Sequence, residues 1–168
     1  MPSGRTHDAV TFLLAVPAGI AGYFFTHSFG PACLISAAFV FGGLMFGPDL
    51  DTVSRQYSRW FILRFLWFPY RSFFKHRSRF SHGLIFGALI RVVYFLGVVT
   101  LAAFLASYVY TAYAGGTLPV LADVARLWQP VGEFTRERLG TYFFAFAFIG
   151  LWLGAASHTF TDMAGSFI

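Results

Sequence analysis

Four long apolar runs constrain this chain more than any other feature. They cover residues 10–26, 31–46, 84–110 and 139–156. A helix needs about 20 apolar residues to cross a bilayer core, with a range of about 17–25. The first two runs are therefore short, and the third is long enough to tilt. The pattern predicts one all-α domain over residues 1–168, an integral membrane helical bundle with about four transmembrane helices.

The composition favours the same class. Hydrophobic residues make up 57% of the chain and charged residues only 11%, whereas a soluble domain carries about a quarter charged residues. The single cysteine, Cys33, lies within an apolar run, which excludes a disulfide framework and a thiolate metal site. Small residues allow close helix contacts, and the glycines in the runs are Gly19, Gly22, Gly42, Gly43, Gly87, Gly97, Gly150 and Gly154.

The loop at residues 52–79 mixes basic and aromatic side chains. Seven of the chain's 12 Lys and Arg residues fall within it. Such a mixture is typical of a segment in the headgroup layer, with membrane lipids as partners. A plain positive loop is also consistent, and the alternative is a buried pair of short helices folded over a site. Because the net charge of +5 is concentrated here, we do not expect a nucleic-acid partner.

The distribution of charge predicts the orientation. The side with the N-terminus and the 52–79 loop carries eight Lys and Arg residues, and the other side carries three. Positive loops stay inside, so we expect both termini in the cytoplasm of a cell whose inner or plasma membrane holds the protein.

The second run ends in Gly47-Pro48-Asp49-Leu50-Asp51. Pro48 stops a helix, and in an extended segment Asp49 and Asp51 would point to the same side. Two carboxylates held that close repel each other unless a cation lies between them. A solvated turn is the commoner meaning of an isolated pair of this kind.

The position of the histidines favours the cation. Because the spans alternate in direction, one membrane face receives most of the titratable side chains near span ends: His7, Asp49, Asp51, His76, His82, His158 and Asp162. His27 falls on the other face. This joint placement predicts a metal site, with Asp49, Asp51, His82, His158 and Asp162 as core ligands and His7 and His76 as further ligands or proton carriers.

Local spacing supports part of this set. His158 and Asp162 are four residues apart and share a helix face. Ser81 is a plausible N-cap for the third span, which would place His82 in its first turn, and His76 is expected in the loop. Imidazole and carboxylate together favour zinc, manganese or iron over calcium. Either two metals share carboxylates, or one metal takes four ligands.

Arg91 is a charge inside the third span and is a functional candidate for that reason. Nine residues separate it from His82, which would put the two on opposite helix faces. Snorkelling or a structural pair is the expected role.

These motifs, together with Pro2 to Asp8 and the stretch from His76-Arg77 to Ser81-His82, resemble an uncharacterised family of membrane metal-binding proteins. That family is similar to the LexA-regulated, membrane-bound metal-dependent hydrolases and, more distantly, to the zinc-dependent phospholipase C and nuclease group. The resemblance implies a helical fold, a divalent metal and phosphoester hydrolysis.

We therefore expect a metal-dependent hydrolase in which a metal-activated water attacks a phosphoester, such as a lipid, at the cytoplasmic face. The alternative is a non-enzymatic membrane protein whose metal is structural or sensory. A transporter is disfavoured because transport sites lie near the midplane of the bilayer. No G-x-S-x-G elbow, P-loop or H-E-x-x-H motif occurs in the sequence, so serine hydrolase, nucleotide-binding and zincin functions lose support.

Overall fold

The computed structural model describes residues 3–74, 78 and 82–165. The protein is 85% helical, without a strand in those ranges. Four helices are long and apolar enough to cross a membrane: α1 (Gly4–Thr26), α2 (Phe29–Met45), α5 (Phe86–Ala114) and α7 (Phe143–Gly165). Shorter helices are α3 (Arg55–Ser58), α4 (Phe68–Phe73) and α6 (Val124–Leu139). The all-α prediction with four membrane-spanning helices is confirmed.

Two long helices extend beyond the predicted spans. Helix α1 begins at Gly4 rather than at residue 10, and α7 continues to Gly165, past residue 156. The extensions carry the buried His7 and His158, whereas Arg5 and Thr6 are exposed. Helix α1 starts early because the Ser3 side chain caps it by accepting from the Thr6 N–H.

The chain divides into two compact units, one formed by residues up to Val92 and from Phe144 onward, the other by Val93–Phe143. In the first unit, small residues bring α2 and α7 close together. A Cβ atom added to Gly42 would collide with the backbone carbonyl of Leu151, and one added to Gly154 would collide with that of Phe39. The two helices therefore pack almost backbone to backbone, as small residues allow in membranes.

Helix α1 approaches α2 closely as well. A Cβ atom on Gly43 would lie 2.5 Å from the side chain of Thr11, which is fully buried and donates from Oγ1 to His7 O at 2.9 Å. The close glycine contacts predicted from the sequence are confirmed at residues 42, 43, 150 and 154, whereas a Cβ on Gly97 would meet nothing within 4 Å in the described part of the chain.

The segment after α2 is more structured than a plain loop. It contains α3, a 3-10 helix at Phe61–Trp67 and α4. Trp60, Trp67 and Tyr70 are buried, and the Trp67 ring packs edge-on against Tyr70 with the ring centroids 5.7 Å apart. Other side chains of this segment, including Phe61 and Phe73, are exposed. The alternative of buried short helices is thus confirmed for one face of the segment.

The long helices expose most of their apolar side chains. Phe25 is 88% exposed and Tyr113 is 94% exposed. Apolar surface of this extent calls for a non-aqueous surrounding, which a bilayer supplies.

The second unit comprises residues 93–114 of α5, the following 3-10 turn Leu121–Asp123, and α6. Asp123 accepts at Oδ2 from the backbone N–H of Val120 at 2.9 Å and pairs through Oδ1 with Arg126 at 2.7 Å. Trp128 Nε1 donates to Thr100 Oγ1 at 3.0 Å. These contacts order the unit locally, and none of the predicted site residues belongs to it.

Candidate metal centre

Side chains donate hydrogen bonds to the last carbonyl groups of α2. These bonds fix the end of the helix, directly before the acidic turn. Gln56 Nε2 donates to Gly43 O at 2.8 Å, and Arg59 Nη1 donates to Leu44 O at 2.8 Å. The last carbonyls of a helix have no partner within the helix. Here Gln56 of α3 and Arg59, which directly follows α3, supply two of the missing donors, so α3 is anchored to the end of α2.

The next two carbonyls are satisfied in the same way. Trp60 Nε1 donates to Met45 O at 2.8 Å, and Arg91 Nε donates to Phe46 O at 3.1 Å. Arg91 is only 2% exposed, so it does not snorkel, and the prediction of a structural pairing is confirmed. Next to it the Tyr70 phenol is fully buried; burial raises the pKa of Tyr70, and the Arg91 guanidinium opposes that rise.

The acidic turn itself is compact rather than extended. Pro48–Asp51 forms a 3-10 helix with proline in its first turn, so the predicted extended geometry was wrong. The Asp49 N–H donates to Gln56 Oε1 at 3.1 Å, and Ser54 Oγ donates to Asp49 O at 2.8 Å. These bonds hold the tight turn and make the short segment after α2 part of the site.

Both carboxylates of the turn reach His82. Asp49 Oδ1 lies 3.6 Å from His82 Nε2, and Asp51 Oδ2 lies 3.5 Å from His82 Nδ1. Helix α5 begins only at Phe86, and residues 83–85 lie outside it. The prediction that His82 occupies the first turn of the third span was therefore wrong; Gly83, which favours non-helical backbone, separates the imidazole from that helix.

The other two histidines form a stacked pair. The rings of His7 and His158 have centroids 3.8 Å apart and an interplanar angle of 13°. His7 Nε2 lies 3.3 Å from Asp162 Oδ1, while His158 Nε2 lies 3.3 Å from Asp49 Oδ2 and 3.8 Å from Asp162 Oδ2. Helices α1 and α7 and the acidic turn after α2 thus contribute to one cluster, and Asp49 links it to His82.

The structure therefore brings together six of the seven predicted site residues. These are His7, Asp49, Asp51, His82, His158 and Asp162. His76 lies outside the described residues. His7, which was expected to be a further ligand or a proton carrier, lies in the middle of the cluster and is 6% exposed.

The donor chemistry fits a divalent cation. His7, His158 and Asp162 each offer one ligand atom, and these atoms lie within 4.8 Å of one another. His158 Nε2 is buried and lies 3.3 Å from Asp49 Oδ2 and 3.8 Å from Asp162 Oδ2. A mixed set of imidazole and carboxylate donors of this kind suits a transition-metal ion.

Gln56 controls the tautomer of His158. The amide orientation is fixed by the Asp49 N–H on Oε1 and by Gly43 O on Nε2. The same Nε2 lies 3.0 Å from His158 Nδ1, so Nδ1 accepts and the proton of the neutral ring is on Nε2. A cation bound at Nε2 would require the ring proton to move to Nδ1. There it would face the Gln56 Nε2 amide, which is also a donor. Gln56 is therefore the neighbour that decides how well His158 serves as a ligand.

The cluster opens into a cavity of about 200 Å³. Besides residues of the cluster, Asp8, Arg55 and Arg59 line it. Asp8 Oδ2 pairs with Arg59 Nη2 at 2.6 Å and with Arg55 Nη1 at 3.1 Å. The site is thus accessible and carries cationic groups as well as carboxylates.

The sequence pattern did not single out Asp8, Arg55, Gln56 or Arg59. Asp8 follows His7 directly and could have been included on the same argument of position. Arg55 and Arg59 are four residues apart, the spacing of one helix face, but they were part of a loop assigned to lipid headgroups. Gln56 carries no sequence signal, because its role depends wholly on the docking of α3 on α2.

Comparison with known proteins gives a match for the whole chain but little detail. The model of a family described as "Uncharacterized metal-binding protein" matches residues 2–168. A protein of Aquifex aeolicus (strain VF5), named only "Uncharacterized protein", is 37% identical over 57 residues, which cover 33% of this chain and 40% of that protein. The chain therefore aligns with less than half of that relative's length. No solved structure matches.

Proposed function

We propose that this chain, which belongs to the family of uncharacterized metal-binding proteins, is a membrane-bound metal-dependent hydrolase acting on phosphoesters at the membrane surface. One observation carries the proposal: imidazoles and carboxylates from separate helices converge beside a cavity of about 200 Å³. A purely structural metal needs no cavity, whereas a catalytic metal keeps a position open to substrate.

In this proposal Asp49, Asp51, His82, His158 and Asp162 hold one or two divalent ions of zinc, manganese or iron. When bound, such an ion supplies Lewis-acid chemistry and activates water near neutral pH. The resemblance to membrane-bound hydrolases and the position of the site at the ends of apolar helices support a lipid phosphoester as substrate.

The chain's own residues would orient the reaction. His7 lies 3.3 Å from Asp162 and is stacked on His158, so its ring is held in one orientation at the cavity. From there it could bind the cation or carry a proton, and His76 stays a prediction for the same two roles. Asp51 is buried, and the 3-10 turn fixes the position of its carboxylate. Asp51 and its neighbour His82 would therefore present their ligand atoms in one fixed arrangement.

A non-enzymatic role for the metal is the second candidate. The ligand residues come from α1, from the turn after α2, from α7 and from the segment before α5, so a cation would join distant parts of the chain. This geometry favours a structural or sensory metal as readily as it favours catalysis.

The decisive experiment measures metal content and turnover on the same purified protein. We expect Asp51→Ala and His158→Ala each to abolish bound manganese or zinc and hydrolysis of phospholipid and phosphodiester substrates, because each change removes a buried donor. Metal content is read by elemental analysis. His27→Asn is the control, since His27 caps the opposite end of α1.

If wild-type protein binds metal but hydrolyses no substrate in the panel, the structural or sensory role replaces the enzymatic one. If both alanine variants retain metal and turnover, the proposed site is wrong.

A further inference from the structure

The cavity beside the cluster carries two guanidinium groups that metal binding does not use. Arg55 and Arg59 line it together with His7, Asp49 and Asp162. Both belong to the short segment after the second span, which ends at Asp51. They therefore lie where α2 leaves the membrane, at the level that lipid headgroups or soluble substrates can reach.

Arg59 is fully engaged by the fold. Its Nη1 donates to Leu44 O at 2.8 Å, and its Nη2 donates to Asp8 Oδ2 at 2.6 Å. The side chain is 27% exposed. Because both ends of the guanidinium are bonded, Arg59 holds Asp8 in place and anchors α3.

Arg55 is held far less firmly. Its polar contact within the described residues is the ion pair of Nη1 with Asp8 Oδ2 at 3.1 Å, its aliphatic part packs against Gly4, and its side chain is 54% exposed. Asp8 already has Arg59 as a closer partner. Arg55 can therefore leave Asp8 without stranding a buried charge, and an exposed pair of this kind is worth little.

A bound cation makes the cavity less negative. Asp8, Asp49 and Asp162 line it together with Arg55 and Arg59, and Asp51, another proposed ligand, lies 3.5 Å from His82. These four carboxylates outnumber the two guanidinium groups, and one divalent ion offsets the excess negative charge. The cavity should therefore bind an anion better after metal binding than before.

We propose that Arg55 binds the phosphate group of the substrate, so that the cavity recognises a phosphate-bearing anion only after the metal is bound. The inference rests on the proposed function, because it places the anion beside the same metal. A guanidinium fork matches the spacing of two phosphate oxygens and forms charge-assisted hydrogen bonds. The phosphate can belong to a lipid headgroup or to a soluble ester, since both present the same oxygens.

The test uses the full chain in detergent and inorganic phosphate as the probe. Binding of radiolabelled phosphate is measured by equilibrium dialysis with and without manganese, and manganese binding is measured separately by electron paramagnetic resonance. With manganese we expect Arg55→Gln to weaken phosphate binding about tenfold, as loss of a charge-assisted hydrogen bond implies. Arg55→Lys should restore part of the affinity, because it returns the charge without the fork.

The matched control is Arg64→Gln, which removes the same charge from the same segment. Arg64 is exposed and lines a different pocket with Phe61 and Ile62. We expect it to leave phosphate binding unchanged, and manganese should still bind in both glutamine variants. Without manganese, no variant should bind phosphate.

Two further arms separate the sources of the phosphate. Dihexanoyl phosphatidate and glycerol phosphate compete for the labelled phosphate. Tighter competition by the short-chain lipid assigns the site to a lipid headgroup, and equal competition assigns it to a soluble ester.

The outcomes distinguish this inference from the function on which it rests. If manganese binds normally but Arg55→Gln and Arg64→Gln bind phosphate equally, the role of Arg55 is wrong and the metal site stands. If no manganese binds to the wild type, both fail. If phosphate binding depends on Arg55 but no ester is hydrolysed, the role of Arg55 in phosphate binding is supported and the proposed hydrolase activity is wrong.

Discussion

Gln56 is the residue on which the geometry of the acidic turn and the state of His158 both depend. It is 4% exposed and contacts Gly43, Asp49 and His158 through one amide. A buried group that loses its hydrogen-bond partner costs roughly 1–3 kcal/mol. One side chain therefore links the end of α2, the turn and α7.

We expect Gln56→Leu to destabilise the protein, because Gly43 O and the Asp49 N–H both lose their side-chain partner. Two such groups imply a loss of roughly 2–6 kcal/mol at most, read as a lower thermal unfolding temperature in detergent. An unfolding temperature equal to that of the wild type would contradict this role.

The companion variant Gln56→Glu tests the tautomer of His158. A carboxylate can still accept from the Asp49 N–H and can accept from a proton on His158 Nδ1, although it loses the hydrogen bond to Gly43 O. Metal-binding histidines are commonly supported by an acceptor on the second ring nitrogen, and such partners change metal affinity 10- to 100-fold. We therefore expect tighter metal binding than in the wild type, measured by competition with a chelator.

At the scale of the helices, the contact between α2 and α7 positions the imidazole of His158. Gly154 precedes His158 by one helical turn, and a Cβ atom there would collide with Phe39 O and lie 2.9 Å from Gly43 N. The two helices cannot separate locally without moving His158 away from Asp49 and from His7.

Gly154→Ala should therefore destabilise the fold by about 1–3 kcal/mol, the usual cost of overpacking, and weaken metal binding. The control is Gly97→Ala, whose Cβ would meet nothing within 4 Å among the described residues. Because alanine favours a helix over glycine by about 1 kcal/mol, this control should be neutral or stabilising. Thermal unfolding and metal content are compared for the two, and equal behaviour would rule out the packing argument.

The elements also show what the sequence could and could not predict. Apolar runs predicted the four long helices because bilayer thickness sets their length. They misplaced the start of α1 and the end of α7, since His7 and His158 lie buried against each other and hydropathy cannot distinguish a buried polar pair from a solvated one. The short helix α3 has an N-cap residue, Ser54, but a cap alone does not predict a helix of four residues, and its position depends on side chains bonded to the carbonyls of α2.

At the scale of the whole molecule, the alternation of long helices is what made the site predictable. An imidazole near the start of α1, carboxylates after α2 and a helical pair near the end of α7 must fall on one face if each helix crosses the membrane once. The role of Arg59, by contrast, could be seen only in the folded segment. Topology thus predicted the cluster, and local docking determined its cavity.

The orientation in the membrane stays a prediction, and labelling can test it. Cys33 is the single cysteine, so Cys33→Ala gives a background for Ser3→Cys and Ser28→Cys. A membrane-impermeant maleimide on intact cells should label position 28, between α1 and α2, and should label position 3 only after lysis. The reverse pattern would place the metal centre on the outer face.

The stacked rings of His7 and His158 connect α1, the first long helix to be synthesised, with α7, the last. During synthesis α1 and α2 leave the ribosome well before α7, and until then His7 and Asp49 lack the second imidazole and the carboxylate of Asp162. A growing chain consequently has an incomplete set of donors around His7 until α7 is made. An ion held between His7 and His158 would therefore report that the last long helix has joined the fold.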